Sequence, residues 1–280
     1  MIHIFTRCLV LSLTLTFGVL AFVGCSEYRK VLRSSDMQLK YDKALEYYKE
    51  GKYAKAYPLF EELFIIYRGT SKGERISYLQ AMCDYRLKDY LLASHRFSQF
   101  ARSYPQSAYA ERAQFYAALC LYKMSPKYSL DQSDTRKAIR SLQLYALQYP
   151  ASERMDSVNL LLDNLHYKLE LKDYKKAKLY FDMKRYRAAT VAFENFNKNY
   201  PNSRYKIETS FLEFKSAYLL ALNSIDDKKL ERINNALNAY TKFADRFAGS
   251  PYEKEALTLR KNLEALQNET KNTKLTHGQS

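Results

Sequence analysis

The hydrophobic positions of the chain repeat five times in one helical register. Each copy ends in an aromatic residue, with large apolar residues four and seven positions before it and alanine eleven positions before it. These offsets trace one stripe along an α-helix with about 3.6 residues per turn. The recurring alanine indicates a place where another backbone comes close. The aromatic residues are Tyr67, Tyr104, Tyr149, Tyr200 and Phe247, and the alanines are Ala56, Ala93, Ala138, Ala189 and Ala236.

A turn signal follows each copy. Three residues after the aromatic residue stands a serine or threonine, and in four copies a proline directly follows the aromatic residue or the serine. Proline ends one helix, and the hydroxyl is suited to cap the next one. Apolar residues before each alanine predict a partner helix, so the repeated unit is a helix pair. The hydroxyl residues are Thr70, Ser107, Ser152, Ser203 and Ser250.

Helix pairs repeated in this way are typical of tetratricopeptide repeats. The aromatic ends are 37, 45, 51 and 47 residues apart, which is longer than the ideal repeat of about 34 residues. The extra length falls in residues 124–133, 152–171 and 223–229, where we expect longer helices or loops. The sequence therefore predicts an all-α fold, a superhelical α-solenoid of about five tetratricopeptide-like helix pairs.

The N-terminus carries a different pattern. Residues 1–24 contain one arginine, Arg7, followed by an apolar run, which is typical of a secretory signal peptide. The run ends at Gly24 and Cys25 and resembles the lipobox of bacterial lipoproteins. That resemblance implies cleavage before Cys25 and acylation of the cysteine, for example with palmitate, and Ser26 in the next position favours the outer membrane. The alternatives are an ordinary signal peptide and an uncleaved membrane anchor.

The chain is strongly basic. Its formal net charge is +15, from 45 Lys and Arg against 30 Asp and Glu, and removal of residues 1–24 leaves 44 − 30 = +14. In a cytosolic protein this charge would suggest nucleic acid. In an exported lipoprotein it points to anionic lipid headgroups, to an acidic partner, or to solvated helix surface.

Residue patterns for catalysis or metal binding are missing. Seven glycines, most of them near turns or chain ends, leave no glycine-rich phosphate loop. None of His95, His166 and His277 has a neighbour at metal-ligand spacing. Cys83 and Cys120 lie within apolar helix patterns, which favours buried thiols over a disulfide. The sequence predicts that the protein is not an enzyme and has no catalytic residue, metal site or cofactor.

The lipobox, the five repeats with their Tyr-Pro-x-Ser turns and the polar end together resemble the BamD family, lipoproteins of the outer-membrane β-barrel assembly machinery. The resemblance covers residues 25–267, and its most telling stretches are Tyr90–Ala110 and Tyr186–Tyr205. A long helix over Ser152–Lys184 also agrees with it. The resemblance implies a non-enzymatic scaffold on the periplasmic face of the outer membrane. Similar repeats occur in scaffolds of the Tol–Pal or peptidoglycan-coordination type, which are the alternative.

In that family the N-terminal repeats receive unfolded outer-membrane proteins, and the C-terminal repeats hold the barrel subunit BamA through a periplasmic domain. Matching to the tetratricopeptide pattern places candidate groove residues on the first helices of repeats 1–3. Aromatic rings with arginines between them suit peptides that end in an aromatic residue and a carboxylate. For each ring, packing between repeats is the alternative. The groove candidates are Tyr41, Tyr48, Arg75, Tyr78, Tyr85, Arg86, Arg112, Phe115 and Tyr122, and the candidates for partner docking are Arg185, Tyr186, Tyr205 and Phe211.

These observations predict five segments along the chain. Residues 1–24 are the signal peptide, and residues 25–39 are a lipidated linker. Residues 40–150 hold repeats 1–3 and bind client peptides, whereas residues 151–267 hold the long helix and repeats 4–5 and dock the partner subunit. Residues 268–280 are polar, and we expect this tail to be disordered.

Overall fold

A computed structural model describes the backbone of residues 27–277 and the side chains of residues 27–272. The predicted signal peptide over residues 1–24 and the predicted lipidation of Cys25 lie outside this part of the chain, and they stay predictions.

Residues 27–277 consist of helices and turns and contain no strand. The first helical segment, α1, covers residues 27–33. The helices after it are α2 Met37–Lys49, α3 Tyr53–Ile66, α4 Ser71–Arg86, α5 Tyr90–Ser103, α6 Ala110–Met124, α7 Ser133–Gln148, α8 Met155–Asp182, α9 Tyr186–Asn199, α10 Lys206–Leu222, α11 Asp226–Phe247 and α12 Glu253–His277.

The predicted repeats are present as helix pairs. The second helices α3, α5, α7, α9 and α11 each end at the recurring aromatic residue or one residue before it. All five recurring alanines are completely buried, and the first helix packs closely on the second helix in the pairs α2–α3, α4–α5, α6–α7 and α10–α11. The long helix predicted over Ser152–Lys184 runs from Met155 to Asp182. The prediction of an all-α solenoid of about five helix pairs is confirmed.

The turn serines act differently from the simple caps that the sequence suggested. Thr70 is the N-cap of α4, since its hydroxyl accepts a hydrogen bond from the N–H of Gly73 at 3.1 Å. Ser107 instead accepts from the N–H of Tyr109 at 3.0 Å and donates to Glu74 of the preceding first helix at 2.5 Å. The same hydroxyl therefore closes the turn and ties two neighbouring repeats together.

That tie recurs at two further turns. The hydroxyl of Ser152 donates to Glu111 at 2.6 Å, and the hydroxyl of Ser203 donates to Glu170 at 2.6 Å. A hydrogen bond to an ionised acceptor contributes about 1.5–3 kcal/mol when it is shielded from water. The contact between neighbouring repeats therefore depends on these half-buried hydrogen bonds as well as on packed rings and alkyl groups.

The described chain divides into two compact units. Unit 1 comprises the residues up to Pro126 and Gln132–Leu162, and unit 2 comprises Lys127–Asp131 and the residues from Asp163 onward. Each unit has its own buried apolar cluster, which contains Phe60 and Phe97 in unit 1 and Phe193 and Phe214 in unit 2.

Two predicted segment boundaries need correction. In the predicted linker of residues 25–39, α1 is docked on repeat 1: Val31 is buried, and the hydroxyl of Tyr28 donates to the carbonyl of Lys55 at 3.3 Å. The tail of residues 268–280, expected to be disordered, is helical up to His277. Thr270 is buried and continues the stripe of Leu263 and Leu266, so the apolar spacing of α12 extends further than composition suggested.

Candidate functional site

One ring on each first helix packs against a side chain at the start of the next repeat or of α12. Ring centroids are 4.7 Å apart in the stacked pair Tyr78–Tyr109 and 4.1 Å apart in Tyr174–Tyr205. At two places a cation replaces the second ring, as where Lys72 Nζ lies 5.2 Å from the centroid of Tyr41. We call this contact the ring seam. Its rings are Tyr41, Tyr78, Phe115, Tyr174 and Phe211, with Lys72, Tyr109, Arg154, Tyr205 and Tyr252 as their respective partners.

The ring seam changes the role of several candidate residues. Tyr41, Tyr78 and Phe211 are only 7%, 4% and 2% exposed, so these rings cannot lie against a peptide or a partner domain. Their assignment to binding surfaces is corrected to packing between repeats. Phe115 and Tyr205 belong to the same seam but are half-buried, and they retain an exposed edge.

The three candidate arginines remain accessible. Arg75, Arg86 and Arg112 are exposed, and no acidic side chain among residues 27–272 lies within 4.0 Å of any of them. Arg75 Nη1 donates weakly to the hydroxyl of Tyr41 at 3.5 Å. Tyr116, which lies beside Arg112, raises the pKa of that guanidinium through a hydrogen bond. All three are therefore charged donors that an acidic ligand can reach.

Three half-buried candidate tyrosines lie on the first helices of repeats 1, 2 and 3. Tyr48 packs edge-on against Tyr53 at 5.4 Å, and Tyr85 packs edge-on against Tyr116 at 4.9 Å. Burial raises the pKa of Tyr48, although Arg86 and Arg112 are near enough to offset part of that rise. Tyr122 is half-buried too. We call this set the arginine face; it consists of Arg75, Arg86, Arg112, Tyr48, Tyr85 and Tyr122.

In unit 2, the docking candidates Arg185 and Tyr186 line a cavity of about 710 Å³ between the end of α8, the start of α9 and the end of α10. The walls of this repeat-4 cavity are largely apolar and include Val191 and Leu220. Further cations line it, and none of them has an acidic partner within the described side chains. Sequence reasoning missed these cations, which are Lys176, Lys184 and Arg187.

Sequence reasoning also missed the carboxylates that bind the turn serines. Each stands four residues before a seam ring, as Glu111 stands before Phe115. Glu111 is the most heavily used, since it accepts from Ser152, from Tyr145 at 2.8 Å and from Arg154 at 3.1 Å. These bonds, led by the one from Ser152, lower the pKa of Glu111. The fixed spacing was a signal that could have revealed these residues.

Reactive groups are scarce in the described chain. No cluster of three or more His, Cys, Asp or Glu side chains within residues 27–272 could hold a metal ion. Cys83 and Cys120 are free and buried, and burial raises the pKa of each thiol to about 12. They remain protonated at neutral pH and are poor nucleophiles. In residues 27–277 no helix combines the length and apolar character needed to cross a bilayer.

The fold and these surfaces define a class: a helical-repeat protein of the tetratricopeptide type that presents basic and aromatic surfaces. The model of the YfiO family, described as outer membrane lipoprotein, matches residues 33–229. Because the match covers well over half of the chain, this protein belongs to the YfiO family of outer membrane lipoproteins.

A curated relative and a solved structure are also similar to this chain. The chain is 26% identical over 249 residues to a putative outer membrane protein assembly factor BamD of Aquifex aeolicus (strain VF5), which covers 87% of this chain and 79% of the relative. The TPR2AB-domain:pHSP90-complex of yeast Sti1 aligns with 85% of this chain and 94% of that chain, at 14% identity and a TM-score of 0.38. That structural likeness is too weak to carry an argument.

Proposed function

We propose that this protein is a non-enzymatic scaffold of an outer-membrane β-barrel assembly complex, anchored by acylation of Cys25 and facing the periplasm. Unfolded outer-membrane proteins bind the arginine face, and a BamA-type barrel subunit docks through a periplasmic domain at repeats 4–5. Family membership and the BamD relative support the assembly role. The observation that carries the client-binding part is the accessibility of three guanidiniums without acidic partners.

The arginine face matches a particular ligand chemistry. A guanidinium binds a carboxylate with two parallel hydrogen bonds, and the neighbouring tyrosines offer ring edges to an aromatic side chain. A peptide whose last residue is aromatic brings both groups within one residue. We therefore expect affinity for free C-terminal carboxylates that follow an aromatic side chain.

The first experiment compares two synthetic peptides that end in phenylalanine, one with a free carboxylate and one amidated. We expect the free acid to bind at least about tenfold more tightly, and the double variant Arg75→Glu/Arg112→Glu to abolish that difference. Arg136→Glu/Arg140→Glu changes two exposed arginines on α7 and serves as the charge-matched control. Equal binding of both peptides, or an equal loss in the control, would show general electrostatic attraction instead.

The repeat-4 cavity is the proposed docking site for the partner subunit. Its cations and apolar walls suit a segment with an acidic residue beside an apolar one. We expect Arg185→Glu/Arg187→Glu to release a barrel protein with periplasmic modules from the detergent-extracted complex while leaving client-peptide binding unchanged. Recovery of Tol–Pal or peptidoglycan-synthesis proteins in place of such a barrel would contradict the assembly role.

A further inference from the structure

Helix α1 carries its apolar and its basic side chains on opposite faces. The apolar residues, which pack on repeat 1, are Tyr28, Val31 and Leu32. The basic residues, all of them exposed, are Arg29, Lys30 and Arg33. At about 100° per residue, these three positions cluster on the side of the helix that points away from repeat 1. We call them the basic face of α1.

Contacts with repeat 1 hold α1 in one orientation. The ring of Tyr28 packs edge-on against Tyr47, with the two centroids 5.7 Å apart, and its hydroxyl donates to the carbonyl of Lys55. The ammonium group of Lys55 lies 5.5 Å from the centroid of the same ring. Because these contacts and the buried Val31 fix the apolar side, the basic face has a fixed direction relative to repeat 1.

The charge of the basic face is not neutralised within the described chain. None of its three cations has a carboxylate within 4.0 Å among residues 27–272. The one acidic residue of α1, Glu27, is instead 3.2 Å from Lys43 of α2. Lys55 also lacks an acidic partner among the described side chains, and it adds a further positive charge beside the helix. An anionic surface can therefore approach α1 without displacing an internal ion pair.

We propose that the basic face of α1 binds the phosphate groups of an anionic phospholipid surface and so holds repeat 1 in one orientation on the membrane. The inference rests on the proposed anchoring of the chain at Cys25 and adds a second attachment beside that anchor. Acyl chains keep a protein on the bilayer, but they leave it free to rotate about the anchor. Three cations on one helix face favour the single orientation in which they all reach the headgroups.

The position of α1 selects a lipid surface as the partner. Cys25 stands two residues before the start of the helix, and a helix over residues 27–33 rises only about 10 Å. Basic residues are attracted to an anionic leaflet within about one Debye length, which is roughly 8–10 Å. All three cations are therefore within range when α1 lies along the surface. An acidic protein would have to enter between the helix and the bilayer to take their place.

The test tethers the chain from Cys25 to Ser280 to vesicles through the thiol of Cys25, with a maleimide lipid in place of native acylation. Cys83 and Cys120 are buried, so Cys25 is the thiol that reacts. The sequence contains no tryptophan, and Ser35→Trp at an exposed position just after α1 supplies a single fluorescent reporter. Quenching of this reporter by brominated phosphatidylcholine measures its contact with lipid.

Vesicles of phosphatidylcholine with about 25% phosphatidylglycerol are compared with vesicles of phosphatidylcholine alone. We expect at least about twofold stronger quenching in the anionic vesicles, and the difference should disappear in about 0.5 M salt, which screens surface charge. Arg29→Gln/Arg33→Gln should remove most of the difference, since each basic residue favours the surface-bound state by about fivefold.

A charge-matched variant serves as the control. Arg102→Gln/Arg140→Gln removes two exposed arginines from α5 and α7 and should keep the difference seen in the parent. Equal quenching in the two kinds of vesicle, or an equal loss in this control, would mean that α1 makes no contact of its own with anionic lipid, and the proposal would be wrong.

A separate measurement keeps the proposed anchor apart from this inference. Mass spectrometry of the N-terminal peptide from native membranes shows whether Cys25 is acylated. The absence of acyl chains would remove the anchor from the proposed function, but the chemical tether would still report on α1. Conversely, a negative result with the tethered chain would leave the acylation of Cys25 unaffected.

Discussion

Units 1 and 2 share the ring seam but carry opposite charges at one equivalent position beside it. In unit 1, an arginine stands 34 residues after the seam tyrosine, as Arg112 does after Tyr78. In unit 2, the same position after Tyr174 is Glu208, which accepts a hydrogen bond from the tyrosine hydroxyl at 3.0 Å. Both units keep the stacked ring, but the side chain beside it is positively charged in unit 1 and negatively charged in unit 2. The stack therefore determines how repeats pair, and the charge beside it is free to serve binding.

The hydroxyl groups of Tyr78 and Tyr174 show the same contrast. The hydroxyl of Tyr78 is buried and has no hydrogen-bond partner among the described residues, and burial raises its pKa to about 12. The hydroxyl of Tyr174 donates to both oxygens of Glu208. Burial first and Glu208 second raise its pKa. In unit 2, Glu208 therefore stabilises the fold through its hydrogen bonds with Tyr174. In unit 1, Arg112 stands at the equivalent position and remains accessible to a ligand.

Truncating the seam rings should have the largest effect, and it should differ between the units. Phe211 is buried and stacks on Tyr252 at 4.7 Å, so Phe211→Ala should destabilise the protein by about 3–5 kcal/mol. Phe115 is half-buried beneath Arg154, and Phe115→Ala should cost about 1–2 kcal/mol. Urea unfolding followed by circular dichroism measures both. Equal losses of stability would mean that the ring seam contributes equally in the two units.

Removing a seam hydroxyl should have a smaller effect, and its sign should depend on the unit. Tyr174→Phe loses a hydrogen bond to a carboxylate, and we expect a cost of about 1.5–3 kcal/mol. Tyr78→Phe removes a buried hydroxyl without a partner, and stability should stay constant or rise by up to about 1 kcal/mol. Thermal unfolding of the two variants beside the parent is the measurement. A clear loss in Tyr78→Phe would reveal a partner of that hydroxyl and would weaken the contrast.

The smallest expected effect is a gain in stability at the turn of repeat 5. Ser250 is the turn serine of repeat 5, and its buried hydroxyl has no partner among the described residues. The residue four positions before the seam ring of that repeat is Ile207, where repeats 2, 3 and 4 have glutamate. Ile207→Glu should supply the missing acceptor and stabilise the protein by about 0.5–1 kcal/mol. Ile207→Gln, which provides a neutral acceptor, should give less. No gain in either variant would show that the turn of repeat 5 has a different geometry.

Much of the helix arrangement could be predicted from the sequence because one short register repeats five times. The alanines at positions such as Ala93 and Ala189 marked the helix contacts, and the aromatic ends marked where the second helices stop. The end of α12 was missed, because polar composition outweighed the continued spacing of Leu263, Leu266 and Thr270. The docked α1 was missed because one buried residue, Val31, is too little to produce a periodic signal.

The site was predicted less well than the fold, for a physical reason. On a helix the side that faces a ligand and the side that faces the next repeat can both carry tyrosine, so pattern alone did not separate Tyr48 from Tyr78. Arginine is less ambiguous, since a guanidinium without a partner is rarely buried, and the candidates Arg75 and Arg112 are indeed exposed.

The docked segment α1 also limits how far the protein can reach. Only Ser26 lies between Cys25 and the helix that begins at residue 27, and each extended residue spans at most about 3.6 Å. With an acyl chain on Cys25, the linker between the bilayer and repeat 1 would be roughly 10 Å long or less. Clients would then be met at the membrane surface. A flexible insert between Cys25 and residue 27 would let repeat 1 move away from the membrane surface.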